Sequence, residues 1–350
     1  MSTPAIAPTR SDARFYTLKG IRLEKRSVIV GTIFAAVIAT AMIGALSLGE
    51  YPMSYSETVA NLVGMSEDPL GQFFVRDQRL PRVIAATLVG AGLGVSGCIF
   101  QQLSGNPLGS PDIIGFTVGS ATGAVLMITL FAASPAAIAV GAAMGGVATA
   151  SIVYLLARQH KKLSAIRLVL VGIGMASILQ ALNGLMIVKA SLSAAQTAAQ
   201  WLAGSFNATT WSDVSVAALA MGTLIPIAFF LSRPLSIIIS GDELATGLGV
   251  RVEVRRNQLI AVGVLLTALA VAVAGPISFV ALAAPQISRR MSRSSGVGMG
   301  NAALMGAVLV MVSDLLAQRL FAPTQLPVGV VTGLLGGVYL IWLLVQQWRT

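Results

Sequence analysis

Few residues inside the apolar stretches of this chain could perform chemistry, and their types restrict what it could be. Asp314 is the one acid well inside an apolar run, Asp112 stands at the edge of another, and the sole histidine sits in the basic run Arg158-Gln159-His160-Lys161-Lys162. Proton-coupled carriers use intramembrane acids or histidines as relays, so this inventory disfavours, without excluding, an ion-coupled secondary transporter. Asp314 reads as an interhelical hydrogen-bonding residue. Asp112 reads as part of a helix start, with Ser110 as N-cap, Pro111 at the first position and Asp112 in the first turn. The single cysteine, Cys98, lies beside Ser96 and Gly97 in an apolar run; it can form no internal disulfide and reads as packing. No His, Cys and acid grouping supplies a nucleophile with its base or a metal cluster. No G-x-x-x-x-G-K-[S/T] loop is present, so the chain does not hydrolyse ATP itself. Gly92, Gly94 and Gly97 spell G-x-G-x-x-G, but no strand precedes them and the stretch is apolar throughout, which points to close helix packing and not to a nucleotide. What remains is a conduit driven by a partner.

The elements that must build such a conduit follow from the solvent. With 55% hydrophobic and 10% charged residues in 350, and a mean hydropathy of +0.83, the chain departs far from the roughly 25% charge of a soluble domain. Its apolar runs are long and continuous, lacking the alternation of barrel strands, so an all-α polytopic bundle is expected. Runs of about 20 residues span a bilayer. Ten candidates stand at 28–48, 80–104, 113–133, 135–157, 166–188, 212–232, 257–275, 277–289, 301–321 and 327–348. The eighth is too short to cross unaided and carries Pro285.

The formal charge of +10 suggests nucleic acid only until its placement is considered. With the N-terminus inside, all of the 23 Lys and Arg fall in inner segments except Arg76, Arg79, Arg82, Lys189 and Arg319. Glu50, Glu57, Glu67, Asp68 and Asp77 gather in the first outer loop. This imbalance predicts ten spans with both termini cytoplasmic, and no nucleic-acid partner. Residues 1–27, basic and without a small-residue cleavage site after the first apolar run, read as a cytoplasmic tail; residues 28–350 read as the membrane domain.

Small residues four apart, at Gly90/Gly94, Gly115/Gly119, Gly119/Gly123, Gly141/Gly145 and Gly333/Gly337, predict tight helix crossings. Two breaks, Asn106 through Asp112 and Gly275-Pro276, stand at matching places in spans two to five and seven to ten, which suggests an inverted repeat. The loop at 234–256 contains Ser240-Gly241-Asp242-Glu243, a capping-box pattern, then Leu244, Ala245 and Leu248 before Gly249. It reads as a short amphipathic helix offered to another protein. Ser177, Gln180 and Asn183 in span five could line a path or bond neighbouring helices.

Taken in order, Arg79-Leu80-Pro81-Arg82, Gly90 to Gly97, Asn106-Pro107-Leu108-Gly109, Gly241-Asp242 to Leu248-Gly249, Gly275-Pro276-Ile277-Ser278-Phe279 and Leu326-Pro327-Val328-Gly329 resemble the FecCD family of siderophore permeases, relatives of the vitamin B12 permease (BtuC). The resemblance runs from about residue 28 to the C-terminus. It implies the type II importer fold and an inner-membrane location. It also implies a second permease subunit (a paralogue or a second copy), two cytoplasmic ATPases that use ATP and magnesium, and a periplasmic or lipoprotein binding protein delivering a ferric siderophore. No cofactor belongs to this chain. The cargo is expected to be of catecholate type, with cobalamin and haem as the alternatives within the family. By resemblance, Arg79, Arg82 and the offset Arg319 dock the binding protein, residues 241–249 couple to the ATPase, and Asn106, Pro107 and Leu108 form part of the cytoplasmic gate. Where the family carries a hydroxylated pair at the start of span five, this chain has Ala165 and Ile166 after Ser164. Spans five and ten are implied to line the path.

Overall fold

Backbone polar groups in lipid must be satisfied within their own segment, so each apolar run coils. The computed structural model describes residues 15–18, 21–49, 51–112, 115–159, 162–163, 165–293, 296–322 and 324–347. Among these, a helix stands at each of the ten expected places: α1 (Lys25–Ser47), α4 (Leu80–Ser104), α5 (Phe116–Phe131), α6 (Pro135–Ala157), α7 (Ala165–Lys189), α9 (Trp211–Phe230), α12 (Val252–Ala274), α13 (Val280–Ser292), α14 (Met299–Arg319) and α15 (Val328–Gln347). Short helices sit between them: α2 (Tyr55–Val63), α3 (Pro69–Phe73), α8 (Leu192–Leu202), α10 (Ser232–Ile238) and α11 (Asp242–Gly247). Two small antiparallel hairpins complete the described chain, β1 (Phe15–Leu18) with β2 (Ile21–Glu24) and β3 (Arg158–Gln159) with β4 (Lys162–Leu163). Among the described residues, seven helices are long and apolar enough to cross a membrane on their own; the stretches 116–131 and 328–343 are shorter, and α13 has only 13 residues.

The first and last helices meet at one end of the bundle. Arg26, at the start of α1, donates to the Met291 carbonyl at the end of α13, and Arg290 of α13 donates to Gln346 at the end of α15. The start of α1 and the end of α15 therefore lie at the same end of α13.

Packing follows the expected repeat. Exchanging α4, α5, α6 and α7 for α12, α13, α14 and α15 turns the α4–α14 contact into α12–α6, and α5–α6 into α13–α14; α4 crosses α12 on the pseudo-axis. At that crossing the Ser96 hydroxyl donates to the Gly263 carbonyl and lies 2.8 Å from the Thr267 hydroxyl. The first break folds back on the helix that follows it: the Asp112 carboxylate accepts from the Thr117 hydroxyl in the first turn of α5. This corrects the expected helix start: α5 begins at Phe116 with Gly115 as its N-cap, and Asp112 lies ahead of it in the turn.

Lipid supplies no hydrophobic force between helices, so close approach must do the work. The three glycines of G-x-G-x-x-G face three different helices: Gly92 meets Met221 of α9, Gly94 the Ala302 carbonyl of α14, and Gly97 the Ala281 carbonyl of α13. Gly90 lies against Gly306, and Gly123 against Gly141 and Gly145, while Gly333 and Gly337 meet nothing within 4 Å in this chain. A β-carbon on Gly97 would overlap the Ala281 carbonyl oxygen. Gly97→Ala is thus expected to destabilise the bundle by about 1–3 kcal/mol through overpacking, read as a lower melting temperature in detergent. Gly174→Ala in α7, where a β-carbon meets nothing within 4 Å, should melt as wild type does.

Candidate functional site

The candidate residues fall at the two ends of the bundle. At the end away from the termini, a π-helical turn, Phe74–Arg79, joins α3 to α4 and sets the register of the arginines. Arg76 donates through Nε and Nη2 to the Leu62 carbonyl near the end of α2. Arg79 is buried, and its guanidinium donates to the carbonyls of Leu46 at 2.7 Å and Tyr51 at 2.6 Å, with a longer bond to Ser47 at 3.4 Å. It caps the last turn of α1, where the helix leaves its carbonyls unpaired and the dipole favours a cation. Arg82 forms a two-pronged pair with Asp314 of α14, with Nε to Oδ2 and Nη2 to Oδ1 both at 2.8 Å, and donates Nη1 to Gln325 Oε1 at 3.0 Å. Gln318 donates to the same carboxylate. The resemblance gives Arg79 and Arg82 to an external partner; in this structure both are spent inside the chain, because helix-end carbonyls and a buried acid lie within their reach. Arg319, by contrast, is exposed, and it is close enough to Arg79 to act on it electrostatically. Sequence reading took Asp314 as an interhelical bonding residue but missed Gln318 and Gln325 as its company. Their signal was polarity at i+4 from Asp314 and inside the Gln325-Leu326-Pro327 motif.

At the opposite end, α11 is mounted rigidly. Ala245 is fully buried among Ile238 and Val252. Asp242 accepts from Arg256 Nη2 at 2.8 and 3.0 Å, and Arg256 also pairs with Glu253. The expected capping box does not form: the N-cap is Gly241, at φ 122°, with no side-chain cap bond. The Ser240 hydroxyl instead turns back to the Ser236 carbonyl of α10, and glycine is the residue that tolerates the left-handed turn that follows. Gly249 closes the helix at φ 80°, and the Val250 N–H returns to the Ala245 carbonyl. This mounting leaves Glu243 exposed and holds Leu244 and Leu248 outward, 55% and 64% exposed.

The Asn106-Pro107-Leu108 segment is exposed at the same end. Asn106 Oδ1 accepts from the Leu108 N–H, an Asx turn, and the Pro107 carbonyl accepts from Gln286 Nε2 of α13 at 2.6 Å. The α7 trio does not form one line. Ser177 and Gln180 are exposed, with the Ser177 hydroxyl donating to the Ile173 carbonyl one turn earlier, while Asn183 is buried and its Oδ1 has no partner among the described residues. Ile166 is exposed; Ser164, His160 and residues 1–14 of the basic tail lie outside the described residues. The described residues contain no cluster of three or more His, Cys, Asp and Glu that could hold a metal.

This arrangement can offer apolar anchors at one end, Leu244 and Leu248, and the exposed cation Arg319 at the other. Comparison with known proteins points the same way. The chain is 44% identical over 329 residues to the ferric enterobactin transport system permease protein FepG of Escherichia coli (strain K12), covering 94% of this chain and 99% of that protein. It is 37% identical to the achromobactin transport system permease protein CbrC of Dickeya dadantii (strain 3937), covering 89% of each. A solved structure described as an inward-facing conformation of a metal-chelate type ABC transporter superposes with a TM-score of 0.81 at 26% identity, over 91% of this chain and 99% of that one. The model of the FecCD transport family matches residues 34–346, and the chain belongs to that family.

Proposed function

We propose that this chain is the permease subunit of an ATP-binding-cassette importer that carries a ferric siderophore of the catecholate type across the inner membrane. The observation that carries the reading is the similarity to FepG over nearly the whole length of both proteins. The geometry supports it: Leu244 and Leu248, held outward on α11, suit a separate ATPase. On this reading the end bearing both termini is cytoplasmic, ten helices cross, and a second permease subunit, two ATPase copies and an external binding protein complete the machine.

Uptake by a deletion strain and its complement, offered labelled ferric catecholate, ferric hydroxamate, haem and cobalamin, tests the cargo. Loss confined to ferric catecholate is expected; loss of cobalamin or haem alone would replace this cargo with that one.

A binding protein arriving at the outer end meets Arg319 as an exposed cation, with Arg79 and Arg82 bracing the surface beneath it. Exposed ion pairs are worth about 0–1 kcal/mol and desolvated interfacial ones about 1.5–7. Arg319→Glu should therefore weaken binding-protein stimulation of ATP hydrolysis by roughly tenfold, with no change in melting temperature. Unchanged stimulation would remove Arg319 from the docking face.

A further inference from the structure

Beside the gate segment lies a cavity of about 380 Å³, with Arg289 and Arg290 of α13 in its wall. Both fall on the α13 face of Gln286, three and four residues on, and Gln286 is the side chain that holds the Pro107 carbonyl. Arg290 is held by α15: Nη1 donates to Gln346 Oε1 at 2.8 Å, and the guanidinium lies 5.5 Å from the centre of the Trp342 ring. Arg289 is exposed and has no hydrogen bond or ion pair among the described residues. No acid lines the cavity. Its remaining lining is mixed: Gln101, Asn106 and Gln286 offer amides, and Leu108, Leu340 and Leu343 are apolar. Cations near a helix C-terminus offset its dipole, which accounts for the residue type but not for the open volume in front of them.

Two guanidinium groups beside amide and leucine side chains suit an anion whose oxygens are carried on an aromatic body, since guanidinium both pairs with oxyanions and stacks on rings, amides donate to oxygens and leucines cover ring faces. We infer that this cavity is a binding site, on the side bearing the termini, for an anionic ferric catecholate as it leaves the transporter. The inference rests on the proposed cargo and adds the step at which charge is recognised. Ferric tris-catecholate is a polyanion, whereas a ferric trihydroxamate is neutral and should not use the site.

The test is equilibrium binding of radioiron-labelled ferric tris-catecholate to the permease assembled with its partner subunits in phosphatidylcholine nanodiscs. Charge-assisted hydrogen bonds contribute about 1.5–3 kcal/mol each, so Arg289→Gln should weaken binding by about tenfold or more, with partial recovery in Arg289→Lys. Neutral trihydroxamate binding should not respond. Leu343→Trp, which fills the cavity from the apolar side and keeps both charges, should also abolish catecholate binding, and it serves if Arg289→Gln does not assemble. Unchanged affinity in both variants overturns the site. An anionic phospholipid offers similar chemistry. If phosphatidylglycerol in the discs displaces the chelate and co-purifies with wild type but not with Arg289→Gln, the cavity is a lipid site and the chelate assignment fails. Absence of ATP-driven chelate uptake by wild-type proteoliposomes would overturn the cargo reading separately, leaving the Arg289 binding result to decide the cavity.

Discussion

Leu244→Asp is expected to strip the ATPase from this permease while leaving the permease itself inserted and folded. Leu244 stands on α11, whose position is set from beneath by buried Ala245 and from the side by the Arg256–Asp242 pair. A leucine held out in this way gains nothing from solvent and much from an apolar groove. Replacing it by a carboxylate puts an unpaired charge where a partner must desolvate it, a loss of about 2 kcal/mol or more at an anchoring position and thus roughly thirtyfold in affinity. The measurement is recovery of the ATPase on purification, together with transport by proteoliposomes given ATP and no ion gradient. Leu248→Asp should act in the same direction. Ala245→Asp should instead damage the permease, because that carboxylate would be buried among Ile238 and Val252. Normal ATPase recovery and transport in Leu244→Asp would end the coupling assignment. Transport by wild type without any ATPase would end the functional reading.

The second large effect lies at the other end. Arg82→Ala should destabilise the bundle by about 3–5 kcal/mol, the usual cost of leaving one member of a buried ion pair behind. The side chains of Arg82 and Asp314 are only 11% and 3% exposed. Without Arg82, the carboxylate keeps Gln318 alone and Gln325 loses its donor. The double variant Arg82→Met with Asp314→Leu should regain much of the loss, since replacing both charges with apolar groups removes the unpaired one. Thermal unfolding in detergent reads both. The outcome also decides the role of the Arg79-Leu80-Pro81-Arg82 motif: a docking arginine would lose binding-protein stimulation on truncation and keep its melting temperature.

Membrane architecture, helix positions and the matching breaks were legible in the amino-acid sequence because lipid makes them local properties. An apolar run of sufficient length has one stable conformation there, and proline and glycine interrupt it where they stand. The spacing of Gly90 and Gly94 announced a close crossing for the same reason, since four residues bring two positions onto one helix face. The segment at 241–249 was legible as an amphipathic helix from Leu244 and Leu248. Its start was misplaced because the Ser240 hydroxyl had a competing acceptor in the preceding turn. What the tertiary structure decided was the direction of charge. The resemblance gave Arg79 and Arg82 a docking role, and in the fold one caps a helix about thirty residues earlier while the other meets an acid 232 residues later. Asp112 read as part of a helix start, yet the helix begins later, at Phe116, and Asp112 bonds Thr117 in its first turn. Arg289 and Arg290 read as topology signals, and only the fold placed them in one wall of a cavity beside the gate segment. A helix is dictated by neighbours along the chain, whereas the partner of a buried charge is whatever distant segment the packing brings within hydrogen-bonding range.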